Sequence, residues 1–404
     1  MEDVDEVAGQ LAHFAVIPDA RARLDAYFAF FDQALETRQT TRALAFIDHI
    51  LDPSFPLVAS RQLISFVASR LAVLPDDMHK EIAQYTLEAV NARAVVYEDE
   101  ITVLRENLAE VFEREEKWSE AARTLAAIPL ESGMRVQPND VKLRKYVKIA
   151  QLYLEDDDAV SAESFINRAS ALISASSDEK VNLHYKVSYA RVLDAKRKFY
   201  DAAVRYYELS KLEKRLYGSQ LIEDQELIQA LGYAITCAIL TPAGPLRSRL
   251  LAMLYKDERS KHLSIFATLE AVHLNRLLRK DQVEAVAATM RPHQLAESSD
   301  GSNALDRAVT EHNLVAVSKL YTNIRIEELG NLLQISKERA ERVAALMIGS
   351  NRLQGTIDQV DGVLEFSHSQ RQEIDLWDRR ILCLCEKLDD CSETIKSVFG
   401  ELPG

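Results

Sequence analysis

DRAVTEHNLVAVSKLYTNIRIEELGNLLQISKERAERVAALMIGSNRLQGTIDQVDGVLEF, residues 306–366, is the stretch whose reading decides the fold. Leu314, Val317, Leu320 and Tyr321 recur at helical spacing, and Ile324-Arg325-Ile326 reads as a short extended segment before a helix resumes over 327–333. Gln334-Ile335 makes a turn. Ser336 is a good N-cap. The helix behind it places Ala340, Val343, Ala344, Met347 and Ile348 on one face, with Gly349 expected to stop it. Leu353, Gly355 and Ile357 then alternate with polar residues. Asp361-Gly362 suits the two positive-φ positions of a type I′ hairpin leading into Val363-Leu364-Glu365-Phe366. Helix, short strand, helix, turn, helix and hairpin, in that order, is the plan of a winged helix.

Upstream the pattern is helical throughout. Leu24, Tyr27, Phe28, Phe31 and Leu35 mark one amphipathic helix, and Ala43, Leu44, Ile47, Ile50 and Leu51 a second ending before Pro53. Leu63, Ile64 and Val67, then Ile82, Tyr85 and Ala89, mark two more, with no strand pattern between them. From about residue 101 a repeat can be aligned position by position. Leu108-Ala109, Ile149-Ala150 and Tyr189-Ala190 correspond, as do Val111-Phe112, Leu152-Tyr153 and Val192-Leu193, in steps of 41 and 40 residues. On the second helix of each pair Trp118, Ala159 and Phe199 correspond, and so do Ala121, Ala162 and Ala202. Large residues facing small ones let antiparallel helices approach, and no pair buries its apolar face alone, so the pairs stack into a solenoid.

Downstream, a final helix carries Ile374, Trp377, Ile381, Leu384, Leu388, Cys391, Ile395 and Val398, whose spacing alternates 3 and 4. That is a heptad seam, narrow enough to be a coiled-coil or bundle face. It suits packing against partner chains; the alternative is a helix folded back onto its own solenoid. Pro292 to Asn303 reads as the clearest loop of the second half, giving segments 1–100 (N-terminal helical arm), 101–305 (solenoid), 306–366 (winged helix) and 367–404 (linker and bundle helix). The expected fold is an all-α, TPR-like helical-repeat solenoid ending in a winged helix and a C-terminal amphipathic helix.

Composition narrows the function. With 47% hydrophobic and 28% charged residues over 404 positions, the chain can build a full core, and 12 Gly with 10 Pro suit long helices on short connections. A net charge of −14 opposes general attraction to nucleic acid or anionic membranes. Over residues 319–366 six basic side chains meet seven acidic ones, too poor a balance for a DNA reader that gains affinity by releasing counterions. The acidic start leads into no apolar signal segment and no membrane-length apolar run follows, so an intracellular chain is expected. Cys237, Cys383, Cys385 and Cys391 read as free thiols.

No catalytic, cofactor or metal residue emerges. There is no His-Glu-x-x-His, and His368 has no second histidine two places away as a zinc isopeptidase would need. The acids Glu155 to Asp158 lack the spacing and Gly of a calcium loop and read as a solvated turn, and Lys196-Arg197-Lys198 reads as its basic counterpart.

A helical-repeat array ending in a winged helix is the plan of the PCI-domain family, found in scaffold subunits of the proteasome lid, the constitutive photomorphogenesis 9 (COP nine) signalosome and translation initiation factor three. YLEDDDAVSAESFINRAS from Tyr153, HYKVSYARVLDAKRKF from His184, LYKDER from Leu254, DGSNALDRAVTEHNL from Asp300 and IDQVDGVLEF from Ile357 resemble the fourth-subunit family of the signalosome. So do SRQLI from Ser60 and IPLESG from Ile128, and the resemblance spans most of residues 55–366.

The resemblance implies a non-catalytic scaffold subunit of a complex that removes the ubiquitin-like modifier NEDD from cullins of cullin-RING ligases, in cytoplasm and nucleus. It implies PCI partners joined through winged helices, with Val363, Leu364 and Phe366 as an edge, and adjoining metalloprotease-fold subunits that hold the zinc. It also implies a shared bundle of C-terminal helices and an N-terminal arm toward the neddylated cullin-RING ligase. A proteasome-lid scaffold and a winged-helix nucleic-acid-binding regulator are the alternatives.

Overall fold

The computed structural model describes residues 7–399 apart from 8, 12, 15–16, 72–73, 92, 132–136, 177, 213–215, 218–219, 222–223, 297–302 and 367–368. Contacts divide the chain into two compact units, Met1–Lys196 with Leu216–Leu221, and Arg197–Arg215 with Ile222–Gly404.

The first unit holds nine long helices after residue 19: α1 (Ala20–Glu36), α2 (Thr40–Leu51), α3 (Leu57–Leu71), α4 (Asp76–Asn91), α5 (Glu98–Arg114), α6 (Trp118–Ala126), α7 (Asn139–Glu155), α8 (Ala159–Ser170) and α9 (Glu179–Ala195). α4 through α8 each pack on the next helix, and α1 on α3, α2 on α4, α3 on α5 and α7 on α9 as next-but-one neighbours. This is the stacking of a helical-repeat solenoid. One continuous core runs through it, from Tyr27 and Phe46 to Ile166 and Val192. The small residues that the repeat singled out, Ala121 and Ala162, are fully buried, as are Ala109 and Ala150 on the facing helices. A Cβ at these points is all the helix approach leaves room for.

The turns repeat as faithfully as the helices. Arg38, Glu116 and Asp157 each take a left-handed conformation, at φ 54°, 59° and 59°, just past the first helix of a pair. The next amide closes each turn by donating back to the helix, Gln39 to Ala34, Lys117 to Phe112 and Asp158 to Tyr153, at 3.1, 2.9 and 2.9 Å. This is the Schellman end normally supplied by glycine. Side-chain residues pay strain in that region, so Glu116→Gly is expected to raise stability by about 0.5–1 kcal/mol, read as an upward shift of the thermal midpoint. A lower midpoint would contradict the strain argument.

The acids Glu155 to Asp158 have structural work in the same turn. Glu155 pairs with Arg191 at 2.8 Å, and Asp158 caps α8 by accepting from the amides of Val160 and Ser161. A two-residue ladder, β1 (Leu216–Tyr217) against β2 (Gln220–Leu221), also belongs to this unit. Two residues per strand are too few to show alternation, so no strand pattern is legible there.

The second unit begins with α10 (Phe199–Ser210), α11 (Asp224–Leu240), α12 (Pro245–Lys256), α13 (Phe266–His273) and α14 (Lys280–Ala287). It continues through the short α15 (Pro292–Leu295) to α16 (Ala304–Leu320). The stretch expected as a loop from Pro292 is therefore helical at its start, and Asn303 at its end caps α16 by accepting from the Asp306 amide; 297–302 lie outside the described residues.

The winged helix follows: β3 (Asn323–Arg325), α17 (Ile326–Leu333), α18 (Lys337–Gly349), β4 (Gly355–Asp358) and β5 (Val363–Phe366). Its core is Leu314, Val317, Ile324, Ile326, Leu329, Ala340, Ala344, Met347, Leu364 and Phe366. Leu320 and Tyr321, expected on the same face as Leu314, are exposed because α16 ends there. Ser336 caps α18 as expected, accepting from the Arg339 amide. Gln334 supplies the turn at φ 56°.

Two turn assignments are corrected. α18 runs through Gly349, and Asn351 at φ 55° takes the left-handed position, its neighbour Arg352 donating to the Met347 carbonyl at 2.9 Å. The hairpin is not type I′. Asp358 faces Val363, which leaves the four-residue loop 359–362, and of Asp361-Gly362 only Gly362 has positive φ, 64°. Asp358 organises that loop by accepting from the amides of Val360 and Asp361 at 2.8 and 3.2 Å, a side-chain turn that removes the need for two left-handed residues.

Gly355 matters for another reason. A Cβ there would collide with the carbonyl oxygen of Glu365 across the β4–β5 ladder, whereas nothing lies within 4 Å of one on Gly349. Gly355→Ala is expected to lower stability by about 1–3 kcal/mol and Gly349→Ala to leave it unchanged or slightly higher. Equal midpoints for the two variants would contradict the close approach.

Candidate assembly surface

α18 is the helix that a winged DNA-binding protein would lay in the major groove. Its solvent face here carries Arg342, Ala345, Leu346 and Gly349 around a shallow apolar depression, with Leu346 69% exposed. Lys337, at its start, pairs with Glu327 at 3.3 Å, and Glu341 accepts from Gln359 on the wing at 2.7 Å. An apolar stripe flanked by charges of both signs suits a protein surface better than a phosphate backbone.

The sheet beside it has the order β3–β5–β4. β5 is therefore the central strand, hydrogen-bonded to Asn323–Arg325 on one side and to Gly355–Asp358 on the other. This corrects the expectation that Val363, Leu364 and Phe366 form an edge for a neighbour. Leu364 and Phe366 are buried core, and among the described residues the unpaired edges belong to β3 and β4. Periodicity marks a strand but not its rank in the sheet, because rank is set by pairing with β3, some forty residues earlier.

The C-terminal helix α19 (Ser369–Phe399) has 31 residues, about 46 Å of rod at about 1.5 Å per residue. Every side chain described on it, Trp377, Arg380 and 381–394, is exposed. Among the seam positions, Trp377 is 63%, Ile381 52%, Leu384 60% and Leu388 61% exposed, and Cys391 is exposed too. The side chains of Ile374, Ile395 and Val398 lie outside the described residues. Cys383, Cys385 and Cys391 are free thiols, and among the described residues no three His, Cys, Asp or Glu cluster as a metal site.

What holds this unit in shape was missed by sequence reasoning. α16 carries a buried polar run, Thr310, Glu311, His312 and Asn313; Thr310 bonds back to the Asp306 carbonyl of its own helix, and the other three tie the helix to segments elsewhere in the chain. Glu311 accepts from the Ala243 amide at 3.2 Å and from the Arg352 guanidinium at 2.6 Å. Asn313 accepts from the Leu278 amide at 2.9 Å and donates to the Leu278 carbonyl at 3.3 Å. His312 Nε2 donates to the Arg276 carbonyl at 2.9 Å. Arg247, 4% exposed, donates to the Ala238 and Ile239 carbonyls at the end of α11, at 3.3 and 2.9 Å. Four polar residues in a row, interrupting the apolar face of the helix, were the available signal.

Burial, with the Arg247 charge beside it, pushes the His312 imidazole down to about 4 from its ordinary 6.5. Between those values the unfolded chain takes up a proton that the folded one refuses, so stability falls as pH drops from 6.5 toward 4. At about 1.4 kcal/mol per pH unit, the loss by pH 5 is about 2 kcal/mol. His312→Gln keeps a donor for the Arg276 carbonyl and should show a pH 7 to pH 5 decrease smaller by about that amount. His49, His79 and His184, lowered chiefly by burial, act in the same direction in both proteins. Identical decreases would refute the assignment.

Two families match the chain: "PSMD12/CSN4, N-terminal" over residues 19–215 and "PCI domain" over residues 271–368. The COP9 signalosome complex subunit 4 of Arabidopsis thaliana is 48% identical over 380 residues, 94% of this chain and 96% of the relative. Those of Dictyostelium discoideum and Drosophila melanogaster are 41% and 44% identical, over 97% and 87% of this chain and 98% and 84% of theirs.

The chain belongs to the COP9 signalosome complex subunit 4 family.

The PCI match of this family member runs from within α13 to just beyond β5, taking in α16 and the whole winged helix. The stretch DRAVTEHNL that carried the resemblance is the first half of α16 and contains the Thr310 to Asn313 run. IDQVDGVLEF contains the wing loop and the central strand.

Proposed function

We propose that this chain is a non-catalytic scaffold subunit of a COP9 signalosome, and that it joins its partners through α19. The observation that carries this reading is the seam: a 31-residue helix with apolar residues alternating 3 and 4 apart, exposed wherever its side chains are described. So much apolar surface in a regular line is what a helix bundle buries. The edge of β4 and the apolar face of α18 are a second attachment point, suited to the sheet of a neighbouring winged helix.

On this reading the complex removes the NEDD modifier from cullin-RING ligases in cytoplasm and nucleus, with the zinc in a metalloprotease-fold partner. Residues 1–100 form the arm toward the neddylated substrate, 101–305 the solenoid, 306–366 the winged joint and 367–404 the bundle helix. Mass spectrometry of proteins that co-purify with the endogenous chain tests it, the expected result being the other signalosome subunits in equal amounts. A native chain recovered alone, or release of the modifier from a cullin by the pure chain with zinc, would overturn it.

A further inference from the structure

We propose that the crevice formed by α12, α13 and α16 in the second unit binds a small hydrogen phosphate group. It is a cavity of about 160 Å³ whose described lining includes the cationic side chains Arg247 and Lys319 and the imidazoles of His273 and His312, with no carboxylate among those residues. At about 30 Å³ per water, it holds about five waters, room for a small oxyanion and too little for a polymer.

Three features converge on it. α12 starts at Pro245, which has no amide, and its N-cap Gly244, which lines the crevice, offers no side-chain cap, so the amides of the next two residues and the positive end of the helix have no side-chain acceptor. Arg247 spends Nε and Nη2 on the end of α11, and among the described residues Nη1 has no partner, although the side chain is 96% buried by its 4% exposure. Among the described residues His312, 3% exposed, bonds only through Nε2. A carbonyl can only accept, so Nε2 carries the proton and Nδ1 is left as an acceptor. The nearby carboxylate of Glu311 already serves Ala243 and Arg352.

The crevice thus offers cationic donors together with a buried acceptor, His312 Nδ1. That combination selects an oxyanion bearing its own proton, as hydrogen phosphate does and sulfate does not. Burial lowers Arg247 to about 10 in spite of the opposing pull of the Glu311 carboxylate, and it keeps His312 neutral.

The test is thermal unfolding of the full chain in rising inorganic phosphate against sulfate, acetate and chloride at matched ionic strength. Phosphate should raise the midpoint saturably, with sulfate at least tenfold weaker. Lys319→Gln, at an exposed rim position, should weaken phosphate several-fold while leaving the midpoint in chloride unchanged. Glycerol phosphate acting as well as inorganic phosphate would assign a monoester as the ligand and support the site. A midpoint indifferent to phosphate, an equal shift with sulfate or acetate, or undiminished binding by Lys319→Gln would overturn it.

Discussion

Replacing Trp377, Leu384 and Leu388 together by glutamate is expected to leave the thermal unfolding of the isolated chain where it is and to remove the chain from its complex. The first half follows from exposure. With about 60% of each side chain in solvent, the substitutions take little from the fold, and surface changes of that kind stay within about 0.5 kcal/mol each. The second half follows from what a bundle would bury. A fully buried side chain of this size contributes about 1.5–3 kcal/mol, and with part already covered by its own helix, three such positions lose about 4 kcal/mol or more. That is about a thousandfold in affinity, before the cost of placing three carboxylates in an apolar seam.

Glu386→Lys, on the opposite side of the helix, is the control and should assemble normally. Deletion of residues 371–404 should behave as the triple variant does: soluble, folded and unincorporated. Stoichiometric co-purification of either would refute the bundle. A large drop in the midpoint of the free triple variant would instead mean that the seam packs on its own chain.

Glu311→Ala should cost about 2–3 kcal/mol, because it leaves the Ala243 amide without its acceptor and Arg352 without its partner. Its carboxylate is 8% exposed and joins three elements: α16, the backbone at Ala243 and Arg352 ahead of β4. Removing one partner of a buried pair costs more than the pair contributes, because the remaining charge stays desolvated. Arg352, 26% exposed, can reach water when abandoned, whereas Glu311 cannot. Arg352→Ala should therefore cost about 2 kcal/mol or more through the stranded carboxylate, and the double variant should cost much less than the sum. Thermal midpoints of the two single variants and the double decide this, and additive losses would mean that the ion pair is incidental.

The solenoid and the winged helix were legible because both rest on local rules. A repeat of 41 and 40 residues fixes which alanines meet facing helices, and Ala121 and Ala162 are buried where the alignment put them. Ser336 caps α18 because a hydroxyl three residues before a free amide bonds it in any context. Errors came where a distant partner decides. The wing was read as a two-residue turn from Asp-Gly, but the Asp358 carboxylate holds a four-residue loop. Val363 to Phe366 was read as an edge, but β3 pairs with it from across two intervening helices.

The same division separates what sequence and tertiary structure each settled. The sequence alone determined the helical repeats, the order of the winged unit and the 3–4 seam of α19, since hydrophobic spacing is a property of neighbours along the chain. Only the tertiary structure decided that β5 is central, that Gly355 is required by the Glu365 carbonyl, and that Glu311, His312 and Asn313 are the ties of the second unit. These depend on which groups meet across 10 to 68 residues of chain, and a buried polar side chain looks like a surface one until its partner is in place.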